Sequence, residues 1–239
     1  KIVAQNKTTK IKSVFEKDKI FNKEISANSE YILKLNKTYN NNEWIDSYLN
    51  ETNAMPNFSY KNNKILVFKS KNLFKRSSIN NFLYNKNNII SFDNKGTIFV
   101  YSLDLREKIF EYNFYKKKFK KYKKEIYIVI KNNKIFAADN LGYVYCVDIL
   151  TTKLIWAKNT GIPFRSNIKI VDNNLFVANQ DNTIFSFNIS SGEKNWSFST
   201  SQAFLTTDFI NSIAINKKIN SVIMLNTNGE LTSINYERN

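Results

Sequence analysis

Histidine is absent from this 239-residue chain. Without imidazole, no Ser–His or Cys–His nucleophile pair can form, and the usual zinc and copper ligand sets cannot be assembled. The single cysteine, Cys146, cannot make an internal disulfide. It lies between Tyr145 and Val147 in an alternating run and reads as a small core residue. No apolar run approaches the ~18 residues of a membrane-spanning helix. Lys1 opens the chain without an initiator Met or an apolar leader, as expected of a mature form, a trimmed form or a fragment.

Aromatic and apolar residues are plentiful. The chain is 42% hydrophobic and 15% aromatic, with 19 Phe and 13 Tyr, a balance that suits a folded β protein and not a disordered one. Its formal net charge is +16. Such a balance can mark a nucleic-acid or anionic-membrane partner. It also follows from the Lys-, Asn- and Ile-heavy composition that an AT-rich genome produces, and Lys and Asn are spread through every loop.

One pattern is repeated. Residues 135–156 (IFAADNLGYVYCVDILTTKLIW) and 175–196 (LFVANQDNTIFSFNISSGEKNW) each run as an apolar stretch, a polar turn, an alternating stretch, a second polar turn and a tryptophan. Two strands joined by a tight turn read this way, with a further strand starting at the tryptophan. The turn recurs at Asp93–Gly96, Asp139–Gly142, Asn179–Asn182 and Asn226–Gly229. Subtracting first positions gives offsets of 46, 40 and 47 residues. Periods of roughly 40–50 residues with four strands per unit mark propeller blades. Gly96, Gly142, Asn182 and Gly229 close these turns because a tight hairpin needs a residue tolerant of positive φ.

The expected architecture is therefore an all-β propeller of about four four-stranded blades, part of a larger ring of eight. Residues 1–56 form an N-terminal arm and a degenerate lead-in, with Trp44 and Tyr48 as possible anchors, and residues 57–239 form the blades. Strands are expected at 64–68 and 73–77, and the last blade is expected to start within 204–215. Trp156 and Trp196, with Phe110 in their place in the first clear blade, are read as rings that pack between blades, assisted by the turn glycines Gly96, Gly142, Gly192 and Gly229. The run KKKFKKYKK at 116–124 reads as a solvated loop between blades; the alternative is a basic patch with Phe119 and Tyr122 interleaved for phosphates and stacking.

Residues 142–156 and 182–196 resemble the PQQ-like repeat, a small-residue turn and a strand followed by D-x-x-T-G-x-x-x-W. Asp148, Trp156, Gly192 and Trp196 match, whereas Thr152 stands where the family prefers Gly and Asn188 where it has Asp. Within that superfamily the stretch 161–177 (GIPFRSNIKIVDNNLFV) is similar to the BamB family of outer-membrane protein assembly factors. The resemblance implies a non-catalytic scaffold without a cofactor or small-molecule substrate, periplasmic and associated with the outer membrane. It would bind the POTRA domains of the barrel-inserting subunit and touch the membrane only through a lipid anchor upstream of Lys1. It places the partner contact in the segment containing Phe204, Leu205, Thr207, Asp208 and Phe209. Leu205 falls on a family leucine; Thr207 and Asp208 fall where the family can carry a leucine and an arginine. The same residues could instead begin a buried strand. Two other functions remain open: a basic propeller binding nucleic acid or an anionic surface, and a fragment of a PQQ-dependent dehydrogenase. The latter lacks the vicinal cysteine pair of those enzymes.

Overall fold

The computed structural model describes residues 32, 34–59, 66, 69, 82–119, 121–202 and 209–237. Two compact units divide the chain, Lys1–Asn36 and Lys37–Asn239, and every described strand belongs to the second. The expected strands at 64–68 and 73–77 lie outside the described residues, except Leu66, which is exposed and in no strand. No helix among the described residues is long and apolar enough to cross a membrane.

Four antiparallel sheets follow one another along the chain, each with its strands in sequence order. The first holds β1 (Phe82–Asn85), β2 (Asn88–Phe92), β3 (Thr97–Ser102) and β4 (Glu107–Asn113). The second holds β5 (Ile126–Lys131), β6 (Lys134–Asp139), β7 (Tyr143–Asp148) and β8 (Leu154–Asn159). The third holds β9 (Lys169–Val171), β10 (Asn174–Ala178), β11 (Thr183–Asn188) and β12 (Lys194–Ser199). Among the described residues the fourth has three strands, β13 (Ser212–Asn216), β14 (Ser221–Leu225) and β15 (Leu231–Asn235). Its first described strand starts at Ser212, late in the expected span. The outer strands β8 and β12 begin two residues before their tryptophans, because the polar turn ends sooner than the sequence pattern suggested.

The middle strands are apolar on both faces, as sheets sandwiched between neighbours must be. Tyr143–Asp148 buries four consecutive residues and Asn174–Ala178 the same number. Three core clusters result, each drawn from two successive sheets. Ile98 and Val100 meet Ile128 and Tyr145; Phe136 and Val144 meet Leu175 and Phe187; Phe176 and Ile184 meet Ile213 and Met224. The sheets are thus held together by side-chain packing, the pattern of a quasi-linear repeat array.

The four β2–β3-type corners share one hydrogen-bond pattern. Asp93, Asp139, Asn179 and Asn226 each accept, through a side-chain oxygen, the backbone N–H groups two and four residues on, at 2.8–3.0 Å. The closing residue of each is left-handed, with φ of +85° at Gly96, +82° at Gly142, +58° at Asn182 and +82° at Gly229. Asp or Asn at the first position and Gly or Asn at the fourth are what such an Asx turn requires.

Candidate functional site

The blade-docking rings occupy equivalent register positions. Phe110 lies opposite Val100, Trp156 opposite Cys146 and Trp196 opposite Ser186, each beside a bulge of the outer pair. Trp156 is buried, and its indole N–H donates to the Ile189 carbonyl of the next blade at 2.9 Å. A Cβ on Gly192 would stand 2.5 Å from the Trp156 ring, and Gly192 has φ +71°. Glycine is required there twice over, by the close approach and by the left-handed backbone. Phe110 is equally buried, whereas Trp196 is half-buried against Phe176. Cys146 is fully buried, and burial pushes its thiol up to about 12, which suits an inert core residue.

Of the expected partner-binding segment, Phe204, Leu205, Thr207 and Asp208 lie outside the described residues. Phe209 lies within them and is 72% exposed; Ile210 beside it is 43% exposed. The chain is then locked at the buried Asn211. Its backbone N–H donates to Arg165 O at 2.8 Å and its side-chain amide to Asn179 O at 2.8 Å. Phe209 and Ile210 directly precede this anchor at the third blade's corner. Exposed Leu225 pairs with Ser212 and Leu231 with Leu225, which brings two more apolar side chains to the same end of the fourth sheet.

The described residues of the basic run are tied to the second blade. A 3-10 turn spans Lys117–Phe119. Phe119 is half-buried and makes edge contacts with Tyr115 and Tyr143, so it is engaged in packing. Lys124 also turns inward: it is buried, donates to Phe119 O and lies over the Tyr115 ring at 5.2 Å. The Tyr115 hydroxyl donates to Asp139 Oδ2 at 2.6 Å, tying the loop to the second blade's corner. Only Tyr122, of the two aromatics in the run, points to solvent.

Sequence reading missed a strap. Residues 44–53 run across the free inner edges of β1, β5, β9 and β13, touching every sheet in turn. Trp44 exchanges backbone hydrogen bonds with Tyr84 at 2.7 and 2.8 Å. Ile45 O accepts from Ile130 N at 3.1 Å, and Glu51 O from Ile215 N at 2.8 Å. Asn53 donates its side-chain amide to Ile213 O at 2.9 Å, and Glu51 pairs with Lys217 at 2.5 Å. At the third sheet the tie is ionic. Lys169 Nζ donates to Asp46 Oδ1 at 2.8 Å, to Asp46 Oδ2 at 2.9 Å and to Asn50 O at 2.8 Å, with side chains 0% and 5% exposed. Burial pushes the Asp46 carboxyl up and the Lys169 ammonium down, while their mutual attraction opposes both.

A signal for the strap exists in the repeat itself. By strand register Lys169 faces Phe176 as Leu83 faces Ile90, Val129 faces Phe136 and Ala214 faces Ile223. A lysine where three sister blades carry apolar residues announces a buried partner. A cavity of about 340 Å³ lies between the strap and β1, walled by Glu43, Trp44, Phe82 and Tyr84.

Radially packed sheets, shared Asx corners and ring-wedged interfaces define a β-propeller of PQQ-like blades. The chain belongs to the family described as outer membrane protein assembly factor BamB, whose model matches residues 91–238. Three solved structures show the same fold. The computationally designed Ika4 protein is 14% identical, with a TM-score of 0.55 over 70% of this chain and 96% of that one. The designed Ika8 protein is 16% identical, with a TM-score of 0.54 over 66% of this chain and 45% of that one. BamB from Moraxella catarrhalis is 11% identical, with a TM-score of 0.52 over 62% of this chain and 46% of that one. The chain thus spans less than half the length of the BamB structure. No curated protein sequence matches it.

Proposed function

We propose that this chain is a non-catalytic scaffold in the assembly of outer-membrane β-barrel proteins. It acts in the periplasm at the outer membrane and binds POTRA domains of the barrel-inserting subunit through the segment between its third and fourth blades. Family membership supports the assembly role. A chain without histidine, whose one thiol is buried, suits a scaffold better than a catalyst. The observation that carries the interface is the exposure of Phe209 and Ile210 beside the locked Asn211. Exposed apolar side chains ringed by polar residues are the usual anchors of protein interfaces. Binding of the purified POTRA array by wild type and by Phe209→Asp/Ile210→Asp tests this. The double variant should bind at least tenfold more weakly with an unchanged melting temperature. Undiminished binding would move the interface elsewhere, and no binding by wild type would overturn the scaffold reading.

A further inference from the structure

The described residues 116, 117, 119 and 121–123 of the basic loop carry four exposed lysines, Lys116, Lys117, Lys121 and Lys123, around exposed Tyr122. None of the four is ion-paired with a described carboxylate. Exposed Lys95 adds a fifth charge, since Lys124 N donates to Asn94 O at 3.0 Å and Asn113 reaches Lys95 O at 3.3 Å. Glu125, at the loop's end, is the acid exposed next to it. The loop is pinned from within by Phe119 and Lys124, and from the side by the Asn140 amide, which donates to Lys123 O at 3.2 Å. Its ordering entropy is thus spent in folding and not on binding.

We propose that this loop is a docking knuckle for an anionic phospholipid surface, with Tyr122 at headgroup level among the lysines. The choice of surface follows from the residue types. Lysines are non-directional point charges that suit a laterally mobile array of headgroups; the loop has no arginine for bidentate phosphate recognition. Single-stranded nucleic acid wants successive stacking platforms along a groove, and only one aromatic of this loop is free. This contact stands apart from the scaffold reading, so either can fail while the other holds.

Co-sedimentation of the full chain with phosphatidylglycerol/phosphatidylcholine vesicles, against phosphatidylcholine alone, tests it. Wild type should bind the anionic vesicles only, with an affinity that falls steeply as salt rises. Each lysine is expected to contribute about fivefold. The variant with Lys116, Lys117, Lys121 and Lys123 all changed to Gln should therefore bind at least 100-fold more weakly, with its melting temperature unchanged. A control removes four exposed lysines at the opposite ends of the strands, Lys86, Lys153, Lys194 and Lys218, and should lose less than tenfold. Equal losses in the two variants would show bulk charge and overturn the proposal. So would absent vesicle binding by wild type, or binding of single-stranded RNA in preference to vesicles.

Discussion

Lys169→Met asks whether the strap is held by its buried ion pair. The ammonium has three acceptors within 2.9 Å and no exposure, and Met fills the same stem volume without the charge. That leaves Asp46 buried, with only the Tyr48 N–H at 2.9 Å still donating to its side chain among the described residues. Breaking a buried pair by removing one partner costs about 3–5 kcal/mol, because the other charge is left uncompensated. Urea unfolding should register that loss as a lower midpoint at constant slope. Removing both charges, with Lys169→Met and Asp46→Leu, should return to within about 1–2 kcal/mol of wild type, the remainder being the orphaned Asn50 carbonyl and Tyr48 N–H. Acidity supplies an independent sign. Burial raises Asp46 above its unfolded value, and loss of Lys169 removes the main opposing attraction. A raised acid adds stability below its unfolded value of about 3.9 and loses it as pH climbs through the folded value. The deficit of Lys169→Met should therefore be largest at neutral pH and shrink toward pH 4. A single variant within 1 kcal/mol of wild type, or a double variant as weak as the single, would refute the ion-pair account.

Gly192→Ala should cost about 2–4 kcal/mol, from left-handed strain and a Cβ driven into the Trp156 ring. Adding Trp156→Phe should recover about 1 kcal/mol in a double-mutant cycle. Thr152→Gly should stabilise by about 1 kcal/mol, a melting shift of roughly 2–4 °C, because a β-branched residue sits at φ +55° where Gly is unstrained. Hydrogen bonds from Ser201 and Asn226 hold Glu230 below the usual carboxylate range, so its contribution is present above about pH 4.3 and fades as pH falls through the lower folded value. The stability gap between wild type and Glu230→Gln should accordingly close in acid, as read by urea melts at pH 7 and pH 3.

The blades were legible because their signals are local. Asp139 reaches Leu141 and Tyr143, and Asn179 reaches Asp181 and Thr183, so five residues of sequence contain the whole turn. The rings could be placed because the strands repeat in register. Nothing comparable marks the strap. In residues 44–53 (WIDSYLNETN) the apolar Trp44, Ile45, Tyr48 and Leu49 sit at helix-like spacing over only six residues, a pattern that points away from a strap crossing strand edges. Their partners lie far along the chain, with Asp46 and Lys169 123 residues apart and Asn53 and Ile213 160 apart. The basic run misled in part for a similar reason. Phe119 and Tyr122 look alike in a string of lysines, and only the packing of Tyr115 and Tyr143 decides which one turns in.

The same separation sets an order of events. Each blade closes through hairpins of two to a few residues, whereas the strap's tie to the third blade joins Asp46 to Lys169, 123 residues apart, and its tie to the fourth joins Asn53 to Ile213, 160 apart. Loop-closure entropy is met before such contacts stabilise anything, so long-range ties form late. The first strands β1, β5, β9 and β13 need their neighbours in place before they offer a continuous row of edges for the strap to cross. Contacts absent from the transition state alter unfolding and leave folding alone. Lys169→Met should then accelerate unfolding by two to three orders of magnitude, as ~3–4 kcal/mol of late-formed stability implies, with the refolding rate changed by less than about twofold. Stopped-flow urea jumps give both limbs. A refolding limb slowed as much as the unfolding limb is hastened would place the strap in the folding nucleus, with the blades assembling around it.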